Sequence, residues 1–135
     1  MYTSSLVALD INTGRLRWHY QIVPHDIWGY DVAAPPVLFS MKGTNGQEVK
    51  AVSAVSKSGW LYVFNRGTGE LLKRSQPFVP QSANMFARPT FQGVEIAPGA
   101  AGGANWPPSA YSRLTKWMYV VASHRPTIYR LERSA

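Results

Sequence analysis

The sequence predicts an all-β fold, a segment of a β-propeller built from four-stranded antiparallel blades. Short β-type apolar runs separated by Gly, Asn and Pro turns fill most of the chain. A Thr-Gly turn recurs with its glycines, Gly14 and Gly69, 55 positions apart, each flanked by strand-like runs. Eleven Gly and ten Pro argue against long helices, while 13% aromatic residues supply the large side chains of a β-rich core.

Residues 6–10, a turn at 11–14 and residues 15–22 read as one hairpin, and residues 60–65, 66–69 and 70–72 as a second of the same form. Between them, residues 36–41 and 49–56 flank a Gly43-Thr44-Asn45-Gly46 turn. With the strands of a blade lettered A to D, residues 1–23 end one blade, residues 36–74 form a complete blade and residues 75–105 are a long Pro/Gly-rich excursion. Residues 106–135 begin a third blade, with A near 109–111, B at 117–122 and C at 127–132. Propellers close with about 4 to 8 blades, so these blades are expected to belong to a longer polypeptide.

Fourteen Lys plus Arg against seven Asp plus Glu give a net charge of +7. The basic residues are scattered, with Lys73-Arg74 the one adjacent pair, which argues against a nucleic-acid surface. Without cysteine, disulfides and thiolate metal sites are excluded within these residues. No apolar run approaches the ~18 residues of a membrane span, and residues 1–5 lack the features of a signal peptide, so the start is expected to be internal.

Up-and-down blades place the D-to-A and B-to-C connections on one rim and the hairpin turns on the other. That rule gathers His25 to Asp31, Lys57-Ser58-Gly59 and Gly102-Gly103-Ala104-Asn105-Trp106 at one mouth. A lysine, carboxylates, an asparagine and tryptophans there suit a flat, anionic molecule with polar edges: Lys gives charge-assisted hydrogen bonds, Asn a donor and an acceptor, Trp an apolar face. The opposite rim holds turns whose residue types follow from backbone geometry.

These segments resemble, in order and spacing, four motifs of the pyrroloquinoline-quinone-dependent alcohol dehydrogenases. Residues 8–18, ending in Trp18, resemble the tryptophan docking motif; Pro24-His25-Asp26-Ile27-Trp28 the Pro-His-Asp-x-Trp segment; residues 57–66 the Lys-Asn-Gly strand segment; and residues 102–106 the Gly-Gly-x-Asn-Trp segment. The resemblance implies an eight-bladed propeller that oxidises an alcohol or sugar hydroxyl. It implies pyrroloquinoline quinone and Ca2+ as cofactors, with the metal ligands mostly outside this chain and none assigned within it. It further implies a cytochrome or quinone as electron acceptor and a periplasmic location. Lys57 and Asn105 match the positions that contact the quinone; Trp106, next to Asn105, is a further cofactor-binding candidate from its residue type, as a stacking face or apolar wall. The remaining blades of the parent chain are the expected partner, and the segment alone is expected to be inactive.

The sequence departs from the family at one position of chemical consequence. The general base is usually an Asp directly after the Trp of the His-Asp-x-Trp segment, and here Gly29 stands there. Three alternatives remain: Asp26 or Asp31 takes its place, another segment supplies a base, or the protein no longer oxidises alcohols. A non-catalytic propeller scaffold for protein binding, which needs neither quinone nor base, is the rival reading.

Overall fold

The computed structural model describes residues 2–134, and Met1 and Ala135 lie outside the described residues. Ten strands and no helix form among them. β1 (Ser5–Leu9) and β2 (Leu16–Gln21) make an antiparallel hairpin. Its turn is closed by Asp10, whose Oδ1 accepts the N–H groups of Asn12 and Thr13 and the Thr13 hydroxyl. The Arg17 guanidinium, together with these bonds, holds the Asp10 carboxyl below the usual carboxylate range.

β3 (Val37–Lys42), β4 (Glu48–Val55), β5 (Leu61–Asn65) and β6 (Leu71–Arg74) form one four-stranded antiparallel sheet in chain order, a complete blade. The two-residue period of β4 and β5 splits their side chains between two faces. Val52, Ala54, Tyr62 and Phe64 pack toward β1 and β2 with Leu6, Trp18 and Tyr20. Val55 and Leu61 belong to a second cluster with Ala34, Phe78, Ala104 and Val120 on the other face. Both faces are therefore packed around β4 and β5, while β6 stays exposed, and the end of β4 is buried without alternation.

Trp18 joins the first sheet to the blade. Its ring lies over the turn that links β5 to β6, and its Nε1–H donates to the Arg66 carbonyl at 3.0 Å. Gly69 makes this possible: it has φ +77°, and a Cβ there would come within 2.7 Å of the indole. Phe64, fully buried, meets Trp18 and Tyr20 at ring-centroid distances of 6.3 and 4.8 Å. Burying one such phenylalanine favours folding by roughly 1.5–3 kcal/mol.

β8 (Ala110–Tyr111) and β9 (Met118–Tyr119) pair antiparallel, the start of the third sheet. Tyr111 packs on Phe39 of the complete blade with ring centroids 4.6 Å apart. On the far side of β9, Trp117, Tyr119 and Val121 are exposed, so both faces of this strand are apolar.

The expected C strand over residues 127–132 requires correction. A strand forms only at β10 (Thr127–Tyr129), and its partner is β7 (Val94–Ile96) inside the excursion rather than β9. The chain is drawn away from β9 by paired backbone bonds between Ser123 and Gly103 and by Gly99 N–H to the Arg125 carbonyl. Pro126 then lacks the N–H that a ladder would need, and Gly99 lies so close to Thr127 that a side chain has no room.

Gly69→Ala is expected to lower the denaturation midpoint of a propeller carrying this segment and to change tryptophan fluorescence. Left-handed strain alone costs about 1–2 kcal/mol, and displacement of Trp18 adds to it. Gly14→Ala is the control, since Gly14 has φ +68° with nothing within 4 Å of its Cβ position. Equal losses in the two variants would show that the Trp18 contact carries no stability.

Candidate functional site

Three connections meet on one rim: the β2–β3 connection, the β4–β5 turn and the Gly-rich end of the excursion. Lys57 sits at the centre of the β4–β5 turn. Ser56 and Ser58 on either side are fully buried, and their hydroxyls hydrogen-bond to each other beneath the turn. The Ser58 N–H also donates to Ser56 Oγ at 3.0 Å, so the two serines hold the backbone from which the lysine departs.

Backbone contacts bring the other two segments to this turn. Lys57 N–H donates to the Asp31 carbonyl at 3.1 Å, and Ala104 N–H to the Ser56 carbonyl at 3.2 Å. Gly103, with φ +62°, presses on the Lys57 carbonyl so closely that only glycine fits. The Lys57 ammonium donates to Asp31 Oδ2 at 2.6 Å; the lysine side chain is 12% exposed and the aspartate 59%. Next to Gly103 and Ala104, Asn105 is half-buried, and its Oδ1 is buried with no hydrogen-bond partner among the described residues. Trp106 follows, 74% exposed.

The two candidate carboxylates have different surroundings. Asp26 Oδ2 accepts from the Ser4 hydroxyl at 2.6 Å, and its Oδ1 accepts the N–H groups of Trp28 and Gly29, each at 3.0 Å. Asp26 thus closes the tight turn in which Gly29 takes φ +77°. Asp31, by contrast, accepts at Oδ2 from Lys57 only, and its Oδ1 takes no hydrogen bond among the described residues.

An aromatic platform holds this loop from below. Trp28 donates its indole N–H to the Ala87 carbonyl at 2.8 Å. The buried Tyr30 hydroxyl lies 2.9 Å from the Met85 carbonyl and 2.7 Å from that of Pro98, and its single proton serves one at a time. Tyr129 donates to the Trp28 carbonyl. Burial, the largest cause, pushes both phenol pKa values above the ordinary tyrosine range, and the Asp26 carboxylate adds to this.

The sequence-predicted residues Asp31 and Lys57 are thus in direct contact, and the segment carrying Asn105 and Trp106 is hydrogen-bonded to the lysine turn. Asp26 stands apart in its own turn. Sequence reasoning missed Ser56, Ser58 and Tyr129 as supports. Among the described residues no group of three or more His, Asp or Glu side chains forms a metal-binding cluster.

Residues 1–84 match the family model described as "Glucose/ethanol/alcohol dehydrogenase, beta-propeller domain", designated PQQ. The chain is 34% identical to the quinoprotein ethanol dehydrogenase of Pseudomonas putida, over 92% of this chain and 23% of that protein. Its structure resembles the quinohemoprotein alcohol dehydrogenase ADHIIG of Pseudomonas putida HK5 with a TM-score of 0.85 and 28% identity, covering 97% of this chain and 21% of that one. A europium-containing methanol dehydrogenase matches with a TM-score of 0.77 and 29% identity, over 90% of this chain and 23% of that one. The chain therefore spans about a fifth of the length of these proteins.

Asp26→Ala is expected to destabilise the 25–31 loop by about 1–3 kcal/mol, because it strands part-buried donors. Asp26→Asn, which keeps an acceptor, should cost less. Limited proteolysis of the loop reads the difference; equal cleavage of the alanine variant and wild type would exclude a bracing role.

Proposed function

Because the chain belongs to the PQQ-dependent glucose/ethanol/alcohol dehydrogenase β-propeller family, we propose that it is a segment of an enzyme oxidising an alcohol or sugar hydroxyl with pyrroloquinoline quinone. The observation that carries this reading is the meeting of Lys57, Asp31 and the Asn105 segment on one rim, with Asn105 Oδ1 left without a partner. An orphaned buried oxygen is costly in a finished protein and suits a site that awaits a ligand.

The residues fit the quinone. Lys57 would hold its carbonyl or carboxylate oxygens through charge-assisted hydrogen bonds. Asn105 would offer a donor and an acceptor to its polar edge, and Trp106 an apolar wall to substrate or ring. When bound, the quinone supplies the two-electron acceptor for the carbinol hydrogen. The segment's own tasks are to orient that molecule and to manage the hydroxyl proton.

A metal beside the quinone, Ca2+ by family resemblance, would take its ligands mainly from other blades, since the described residues form no ligand cluster of their own. Electrons would pass onward to a cytochrome or a quinone, in the periplasm. The remaining blades would complete the walls of the substrate site and cover the exposed apolar side of β9.

The test is titration of the full-length protein carrying this segment with pyrroloquinoline quinone and calcium, followed by cofactor absorbance. Lys57→Ala is expected to weaken binding about 10- to 100-fold, the value of one charge-assisted hydrogen bond. No binding by wild type would overturn the enzyme reading in favour of a protein-binding scaffold.

A further inference from the structure

Alcohol oxidation with a quinone requires a group to take the hydroxyl proton, and at the place where the family carries an aspartate this chain has Gly29, which cannot. Resting on the proposed function above, we infer that Asp31 is the proton acceptor of this enzyme. The choice follows from what each carboxylate already does.

Asp26 is committed on both oxygens: three hydrogen bonds from Ser4, Trp28 and Gly29 use it to close a turn, and a proton placed on it would weaken them by removing the acceptor's charge. Asp31 has one oxygen anchored and one open. Oδ2 is held by the Lys57 ammonium at 2.6 Å, which restrains the carboxylate, and Oδ1 takes no hydrogen bond among the described residues, on a side chain that is 59% exposed. The backbone supports the same arrangement, because Lys57 N–H donates to the Asp31 carbonyl at 3.1 Å and so ties the two residues at a second point. One lysine head group then serves both functions. The carboxylate stands a single ammonium away from whatever anionic edge Lys57 holds.

In the step, the substrate O–H bond breaks and its proton passes to Asp31 Oδ1. The carbinol C–H bond breaks and its hydrogen leaves with two electrons to the quinone, and a C=O bond forms in the product. Substrate is oxidised and quinone reduced by two electrons, and Asp31 later returns its proton to water.

The experiment uses the full-length protein with pyrroloquinoline quinone and calcium, and reads quinone binding by absorbance separately from turnover with a dye acceptor. Asp31→Asn preserves shape and removes proton affinity. It is expected to bind the quinone within threefold of wild type and to lose at least about 100-fold in kcat, in keeping with loss of a general base. Asp31→Glu should recover part of that loss. Asp26→Asn, which retains an acceptor for the Trp28 and Gly29 N–H groups, should stay within tenfold of wild-type kcat. Full turnover by Asp31→Asn would overturn the inference. So would loss of quinone binding in that variant, which would make Asp31 a positioning residue for Lys57. Failure of wild type to bind quinone sinks the underlying reading instead, and with it this one; the wild-type titration alone reveals that case.

Discussion

Trp18 leaves β2 and lies across the turn between β5 and β6, with its indole N–H on the Arg66 carbonyl and its ring over Gly69. This contact joins the first sheet to the blade at the end away from the mouth. Sheets twist, and two blades that share only an apolar interface can slide along it at small cost, since hydrophobic burial has no preferred direction. A hydrogen bond at the far end of the strands, seated where no side chain can intrude, sets the register between the blades. The loop that follows β2 is then delivered to a defined place beside the β4–β5 turn. That loop carries Asp26 and Asp31, and that turn carries Lys57.

The mouth is assembled by backbone more than by side chains. Asp31, Ser56, Lys57, Gly103 and Ala104 meet through main-chain hydrogen bonds and a close approach that excludes a Cβ at Gly103. Such bonds leave little slack, and the buried hydroxyl pair of Ser56 and Ser58 removes more. The lysine therefore starts from a rigid base although it has four rotatable bonds. A flexible cation on a fixed backbone suits a site that must hold a ligand and a carboxylate with one head group.

Several features could be read from residues alone because they are local. The Asp-x-x-Thr-Gly and Asn-x-x-Thr-Gly turns are closed by the first side chain, as Asp10 and Asn65 do, and need no tertiary partner. Strands β1 to β6 follow from period-two patterning between those turns, and the gathering of Asp31, Lys57 and Asn105 at one rim follows from strand alternation. The pairing of β10 with β7 could not be read in this way. Residues 127–129 have the composition of a blade strand, but three bonds from the Gly-rich segment capture residues 123–125 before they can align with β9.

The sequence by itself determined the all-β class, the blade repeat, the family resemblance and the absence of a carboxylate at position 29. These depend on residue type and spacing, which are properties of the chain before it folds. Only the tertiary structure separated Asp26 from Asp31. The two lie five positions apart in one loop and are chemically identical. One is consumed by hydrogen bonds to its own turn and to Ser4, and the other is turned outward to Lys57 from a different strand pair. What a carboxylate can do depends on which of its lone pairs remain free, and that is decided by neighbours distant in sequence.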